Sequence, residues 1–168
     1  MVRRVTVSVS DQHDAFTSFV EIRGRQLGRL CWGLTGSRSK AEDLAQATLE
    51  RLWPRWQRVE QAGDPWAYTC KIAVSIHSSW LRRASSRTEV PGEVDRDLPS
   101  DVPDPTLRLD IERWLRQLGR RQRTVIVLRF LMDMSVEDAA ETMSCSTGTV
   151  KSQTARALNR LRKIADEV

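Results

Sequence analysis

Apolar positions along the chain recur at intervals of three and four, the rhythm of amphipathic helices. Phe16, Phe19, Val20, Leu27, Leu30, Cys31 and Leu34 predict a helix from Ala15 to Leu34, ended by Gly36-Ser37. Ala41, Leu44, Ala45, Thr48 and Leu52 form one side of a second helix from about Ser39 to Trp53, where Pro54 stops the pattern. Glu60 to Asp64 reads as a turn. Asp64-Pro65 then places an N-cap before proline at the first helical position, and a third helix runs from Pro65 to about Arg83 with Trp66, Thr69, Ile72, Ala73, Ile76 and Trp80 on one broad side. Further on, Leu107, Ile111, Trp114, Leu115 and Leu118 mark one helix and residues 122–131 another. Ser135 caps a short helix with Val136, Ala139, Ala140 and Met143 inward. Ser146 caps a longer one striped by Val150, Thr154, Ala157, Leu158 and Leu161. The expected fold class is all-α, with two small helical domains, residues 11–86 and 106–166, joined by an extended linker over 87–105.

The polar faces carry the candidate chemistry. Opposite the Val150–Leu161 stripe lie Lys151, Ser152, Gln153, Ala155, Arg156 and Asn159, with no carboxylate among them. The short helix, tight turn and long basic helix have the spacing of a helix-turn-helix. Small residues permit close approach to a major groove, amides and hydroxyls meet base edges, and cations meet guanine or phosphate. A solvated amphipathic helix is the plainer alternative. The third helix repeats this chemistry: Lys71, Ser75, Ser78 and Arg82 fall within about 60° of one another at about 100° per residue, and Arg83 adjoins them. The second helix presents Asp43, Gln46, Ala47 and Glu50 with Trp53 at the margin, which suits either a partner surface or solvent. Arg120, Arg121 and Arg123 read equally as a phosphate or partner patch and as a solvated cap. His77 falls at the boundary between the two faces of its helix. Five of the six tryptophans sit in the first block, where packing is the better reading for most and stacking on an unpaired base is open to one near the basic face.

Charge sharpens this picture. The net charge of +5 and pI near 9.6 favour a polyanionic partner. Residues 1–88 carry fourteen Lys/Arg against eight Asp/Glu, residues 89–105 one against six, and residues 106–168 twelve against eight, so two basic blocks flank an acidic connector. That connector, EVPGEVDRDLPSDVPDP, holds four prolines and should be extended, allowing the two basic heads to sit apart. Cys31, Cys70 and Cys145 are too widely spaced for a metal knuckle or disulfide framework. With only two histidines, no metal or other cofactor is expected. No catalytic constellation is visible, and no apolar run reaches membrane-span length, so a non-enzymatic cytoplasmic protein without membrane insertion is expected.

Two DNA-facing helical blocks tied by an acidic, proline-rich connector resemble a bacterial RNA polymerase sigma factor of the sigma-70 family, extracytoplasmic function (ECF) class. The stretch FTSFVEIRGRQLGRLCWGLTGSRSKAEDLAQATLERLWPRW is similar to the core-binding part of sigma region 2, and DPWAYTCKIAVSIHSSWLRR to the part that reads the −10 element. LRQLGRRQRTVIVLRFLMDMSVEDAAETMSCSTGTVKSQTARALNRLR is similar to region 4. The form of the DPWAY…WLRR segment is most similar to the actinobacterial SigE-type subgroup.

The resemblance implies that Asp43, Leu44, Gln46, Ala47, Glu50 and Trp53 dock on the clamp helices of the polymerase largest subunit. It implies that the loop from Gln61 to Pro65, with Lys71, Ser75, Ser78, Arg82 and Arg83, captures melted −10 bases, and that Lys151, Ser152, Gln153, Ala155, Arg156 and Asn159 read the −35 element of promoter DNA. The polymerase flap and an anti-sigma factor are further partners it admits. Two positions depart from the family pattern. Ser75 stands where many members carry asparagine, one hydroxyl in place of a two-donor amide. Ser144 holds the turn position often given to glycine, where a left-handed backbone would be strained. A stand-alone helix-turn-helix regulator is the rival reading, and it lacks an account of the first block.

Overall fold

A computed structural model of the chain describes residues 9–86 and 105–166. Helix α1 spans Val9–Thr35, α2 Arg38–Leu52, α3 Trp56–Gln61 and α4 Pro65–Ser86. In the second block α5 spans Pro105–Arg116, α6 Arg120–Ile126, α7 Val136–Thr142 and α8 Thr147–Asp166. No strand occurs among the described residues. The acidic connector lies outside them.

Local chemistry accounts for most helix ends. Gly36, at φ +68°, closes α1 by donating its N–H to the Trp32 carbonyl at 2.7 Å. The Asp64 carboxylate accepts the Ala67 N–H at 2.9 Å, with Pro65 at the first helical position of α4. Ser135 and Ser146 cap α7 and α8 by accepting the N–H of Asp138 and Thr149 at 3.0 and 3.1 Å.

The periodicity misplaces one boundary and misses one short helix. Helix α1 begins at Val9 rather than Ala15. In the added turns His13 meets Trp53 edge-on at 6.0 Å, a contact no local pattern reveals, and Phe16 just beyond meets the same ring at 5.0 Å. Pro54 breaks α2, but into a 3₁₀ turn over Trp53–Arg55 that leads straight into α3. That short helix exists because Trp56 is buried beneath Phe16 and Phe19, at 5.3 and 4.9 Å.

Leu27, Leu30 and Leu34 of α1, Leu44 and Leu52 of α2, and Ile72, Ala73 and Ile76 of α4 form the core of the first block. In the second, α6 runs on as a π-helical turn over Val127–Leu131, with the Met132 N–H bonded to the Val127 carbonyl at 2.9 Å. The wider turn keeps Val125, Val127 and Leu128 all fully buried. Val150 and Ala157 seat α8 against α6 and α7.

The connector would allow the two blocks to sit apart, but in this structure they pack together. α1 packs on α6 and the π turn, and α4 packs on α7, so the buried apolar residues form one continuous cluster. A Cβ on Gly33 would lie 2.9 Å from side-chain methyls of Val127 and Leu131, which shows how closely α1 approaches the second block.

Candidate nucleic-acid interface

The helix-turn-helix is set by the turn between α7 and α8. Ser144 adopts φ +52°, the left-handed conformation its sequence position raised, and the Cys145 N–H reaches back to the Ala140 carbonyl at 2.9 Å. With Val150 and Ala157 turned inward, Lys151, Ser152, Ala155, Arg156 and Asn159 are exposed and Gln153 is half-buried. Ser152 donates to the Thr149 carbonyl at 3.0 Å, so its hydroxyl offers lone pairs outward. Asn159 Oδ1 accepts from Arg162 at 3.3 Å. The face is cationic, hydroxyl-bearing and free of carboxylates, as a groove-reading helix requires.

On α4, Lys71, Ser75, Arg82 and Arg83 are exposed and Ser78 is half-buried. Arg82 donates to the Ser79 hydroxyl at 2.9 Å. This face looks into a cleft of about 550 Å³ whose far wall is the second block: Arg120, Arg121, Thr142, Ser144 and Thr149. A second cleft, about 730 Å³, lies beside it and joins Arg58, Asp64, Trp66 and Lys71 to Asp133, Asp138 and Glu141. The α4 face therefore borders the interblock space, whereas none of the α8 residues Lys151, Ser152, Gln153, Ala155, Arg156 and Asn159 lines either cleft. The tryptophans are mainly structural: Trp32 and Trp56 are buried, and Trp66 is half-buried under the Arg23 guanidinium, 5.4 Å from its ring centroid.

On α2, Asp43, Gln46 and Glu50 are exposed, Ala47 is half-buried, and Gln46 donates to Glu50 at 3.0 Å. Trp53 is 40 % exposed beside this face. Leu44 is fully buried, so it supports the face from beneath and offers a partner no surface of its own.

Sequence reasoning missed the seam between the blocks. Arg123 donates from Nε to the Gly33 carbonyl at 2.7 Å, and Arg120 donates to the Leu81 carbonyl at 3.2 Å and the Ser85 hydroxyl at 2.7 Å. Arg120 and Arg121 are exposed and Arg123 is half-buried; Arg123 and Arg120 sit at the carboxyl ends of α1 and α4, where helix dipoles favour cations. Burial lowers the Arg123 pKa to about 10, with Arg116 adding to the effect and Glu112 opposing it. His77 is also inside the seam, 8 % exposed. Burial, then the charges of Arg123 and Arg120, push it down to about 4. One signal was available: Val74, His77 and Leu81 lie on a flank of α4 outside both of its assigned faces. Val74 and His77 are buried, and Val74 and Leu81 line the interblock cleft.

Among the described residues no group of His, Cys, Asp and Glu is arranged to hold a metal, and no helix is long and apolar enough to cross a membrane. Burial pushes the Cys31 and Cys70 thiols up to about 12, so neither is a nucleophile at neutral pH.

Comparison with known proteins places these faces in context. Residues 19–87 match the family model for sigma-70 region 2, and residues 114–163 that for sigma-70 region 4. The RNA polymerase sigma-E factor of Streptomyces coelicolor is 35% identical over 153 residues, covering 88% of this chain and 84% of the relative. The ECF RNA polymerase sigma factor SigW of Bacillus subtilis is 26% identical over 178 residues, covering 96% of this chain and 94% of that one. Among solved structures, the sigma factor RpoE in complex with the anti-sigma factor NepR from Bartonella quintana aligns with a TM-score of 0.78 at 28% identity, covering 90% of this chain and 97% of that chain. The likeness thus spans both helical blocks.

Proposed function

The chain belongs to the sigma-70 family of RNA polymerase sigma factors, in the ECF class, and on that premise we propose a division of labour among its faces. As a sigma factor it directs promoter-specific initiation by core RNA polymerase. In our reading, α8 reads the −35 element through Lys151, Ser152, Gln153, Ala155, Arg156 and Asn159. The loop from Gln61 to Pro65 and the α4 residues Lys71, Ser75, Ser78, Arg82 and Arg83 hold melted −10 bases. Asp43, Gln46, Ala47, Glu50 and Trp53 dock on the clamp of the polymerase largest subunit, over the buried support of Leu44.

The observation that carries this reading is the pairing of two carboxylate-free, hydroxyl-bearing basic faces on separate helical blocks, with a third, acidic face on α2. One basic face can locate duplex, and a second can hold the strand that leaves it. The chain itself supplies no catalytic group; it works in the cytoplasm, where the polymerase carries out all chemistry. Phosphate contacts dominate its DNA affinity, which therefore falls steeply with salt. Its likeness to a sigma factor solved with an anti-sigma factor supports such a regulator for this chain as well.

The test is promoter-specific run-off transcription with purified chain and core polymerase. Specific transcripts from the combined components are expected. DNA binding without association to core would overturn the reading and leave a stand-alone helix-turn-helix regulator.

A further inference from the structure

The cleft between α4 and α6 has a charge pattern unlike the rest of the chain. Overall, 27 lysines and arginines are set against 22 aspartates and glutamates. Around this one space of about 550 Å³ stand Lys71 and Arg82 from α4 and Arg120 and Arg121 from α6, with no carboxylate among the residues that line it. Nor does any of the four form an ion pair among the described residues. Arg120 is fixed in place by its bonds to the Leu81 carbonyl and the Ser85 hydroxyl, and Arg82 by its bond to Ser79. Lys71 and Arg121 are exposed. The adjoining cleft differs: there Arg58 and Lys71 meet Asp133, Asp138 and Glu141, so charges of both signs are present.

The positive surplus acts on its surroundings. His77, buried on the same helix as Lys71 and Arg82, has its pKa lowered by burial and then by the charges of Arg123 and Arg120, with no carboxylate opposing them. Like charges gathered around a concave space repel one another and raise the local concentration of anions. The other residues of the cleft narrow the class of anion. Ser75, Ser78 and Thr149 bring hydroxyls, which can donate to phosphate oxygens, and Val74, Leu81 and Met143 bring an apolar wall. The volume falls within the range of about 300–1,000 Å³ typical of small-molecule sites. A lone phosphate would leave most of that space, and the apolar wall, unused.

We propose that this cleft is a binding site for a nucleoside diphosphate or a similar nucleoside polyphosphate, its phosphates held between the cations of α4 and α6 and its base laid against Leu81 and Met143. The site stands without the sigma-factor reading, because it rests on the cleft's own residues. Its consequence for DNA rests on that reading: Lys71 and Arg82 cannot serve a nucleotide and a melted strand together, so the two compete.

The test is calorimetric titration of the full chain with GDP, and with inorganic pyrophosphate and guanosine as the two halves of that ligand. GDP should bind one to one, and each half at least tenfold more weakly. Arg121→Gln removes a cleft cation that belongs to neither DNA-reading face, and it should weaken GDP binding about tenfold, the scale of one charge-assisted contact. Arg113→Gln removes an equally exposed cation that lines neither cleft, and it should change the affinity less than about twofold, the effect of net charge alone. Both side chains are exposed, so both variants should keep their helix content, which circular dichroism checks. The absence of saturable binding below about 1 mM GDP would overturn the site. So would equal losses in the two variants, or pyrophosphate binding as tightly as GDP. Each of these outcomes leaves run-off transcription, and with it the sigma reading, standing.

Discussion

The Nε of Arg123 lies 2.7 Å from the carbonyl oxygen of Gly33, joining residues 90 positions apart. Around this bond the chain has almost no room: a Cβ on Gly36 would fall 2.5 Å from Arg123 Nη2, at a backbone φ of +68° that side chains other than glycine's rarely adopt.

Gly36→Ala should therefore destabilise the chain by about 1–3 kcal/mol, combining left-handed strain with displacement of the guanidinium. Gly24, within α1, has nothing within 4 Å of its hypothetical Cβ. Gly24→Ala should stabilise by up to about 1 kcal/mol through helix propensity. Urea unfolding of the two variants should shift the midpoint in opposite directions.

Ser144 is the mirror case, a side chain held at φ +52° in the helix-turn-helix turn. Ser144→Gly should stabilise by about 0.5–1 kcal/mol, the relief of left-handed strain less the greater freedom of glycine in the unfolded chain. The denaturation midpoint should rise with an unchanged slope.

His77 links the seam to pH. Its pKa falls from 6.5 to about 4 through burial and the charges of Arg123 and Arg120. Between those values the unfolded chain binds a proton that the folded chain refuses. Its contribution to stability is complete above pH 6.5, declines as pH drops toward 4, and is flat below. The full span is on the order of 3 kcal/mol. Stability measured from pH 7 to 4 should fall more steeply for the wild type than for His77→Gln; parallel profiles would refute the assignment.

The exposed faces predict separable defects. Asp43→Arg, on the open side of α2, should weaken binding to core polymerase tenfold or more, roughly the effect of reversing an interfacial charge, with no change in thermal stability. Arg156→Ala should leave core binding intact and reduce discrimination of the −35 element by about 1–3 kcal/mol. Titrations against core and against matched and mismatched duplexes separate the two. Unchanged core affinity in Asp43→Arg would displace the docking face.

Helices, caps and outward faces were legible because they depend on residues within a few positions of one another. Ser135, Ser146 and Asp64 cap helices through contacts three residues away. The spacing of Val150 and Ala157 turns the basic side of α8 outward by geometry alone. The resemblance, which puts serine where glycine often stands, left strain or a differently shaped turn open at Ser144, and the left-handed backbone is what forms.

The long-range structure was not legible in the same way. Nothing near Trp56 announces Phe16 and Phe19, and nothing near Arg123 announces Gly33. The amino-acid sequence by itself determined the longer helices and the sides they hide, though not the short α3, and that two basic blocks of sigma-factor type are tied in one chain. Only the tertiary structure decided that the blocks close on each other, that His77 and Val74 are buried, and that Arg123 and Arg120, which the sequence left open between a binding patch and a solvated cap, donate to the ends of α1 and α4. The reason is physical: periodicity reports which side of a helix avoids water, whereas the partner that covers it is chosen by shape and charge among residues the chain brings together only by folding.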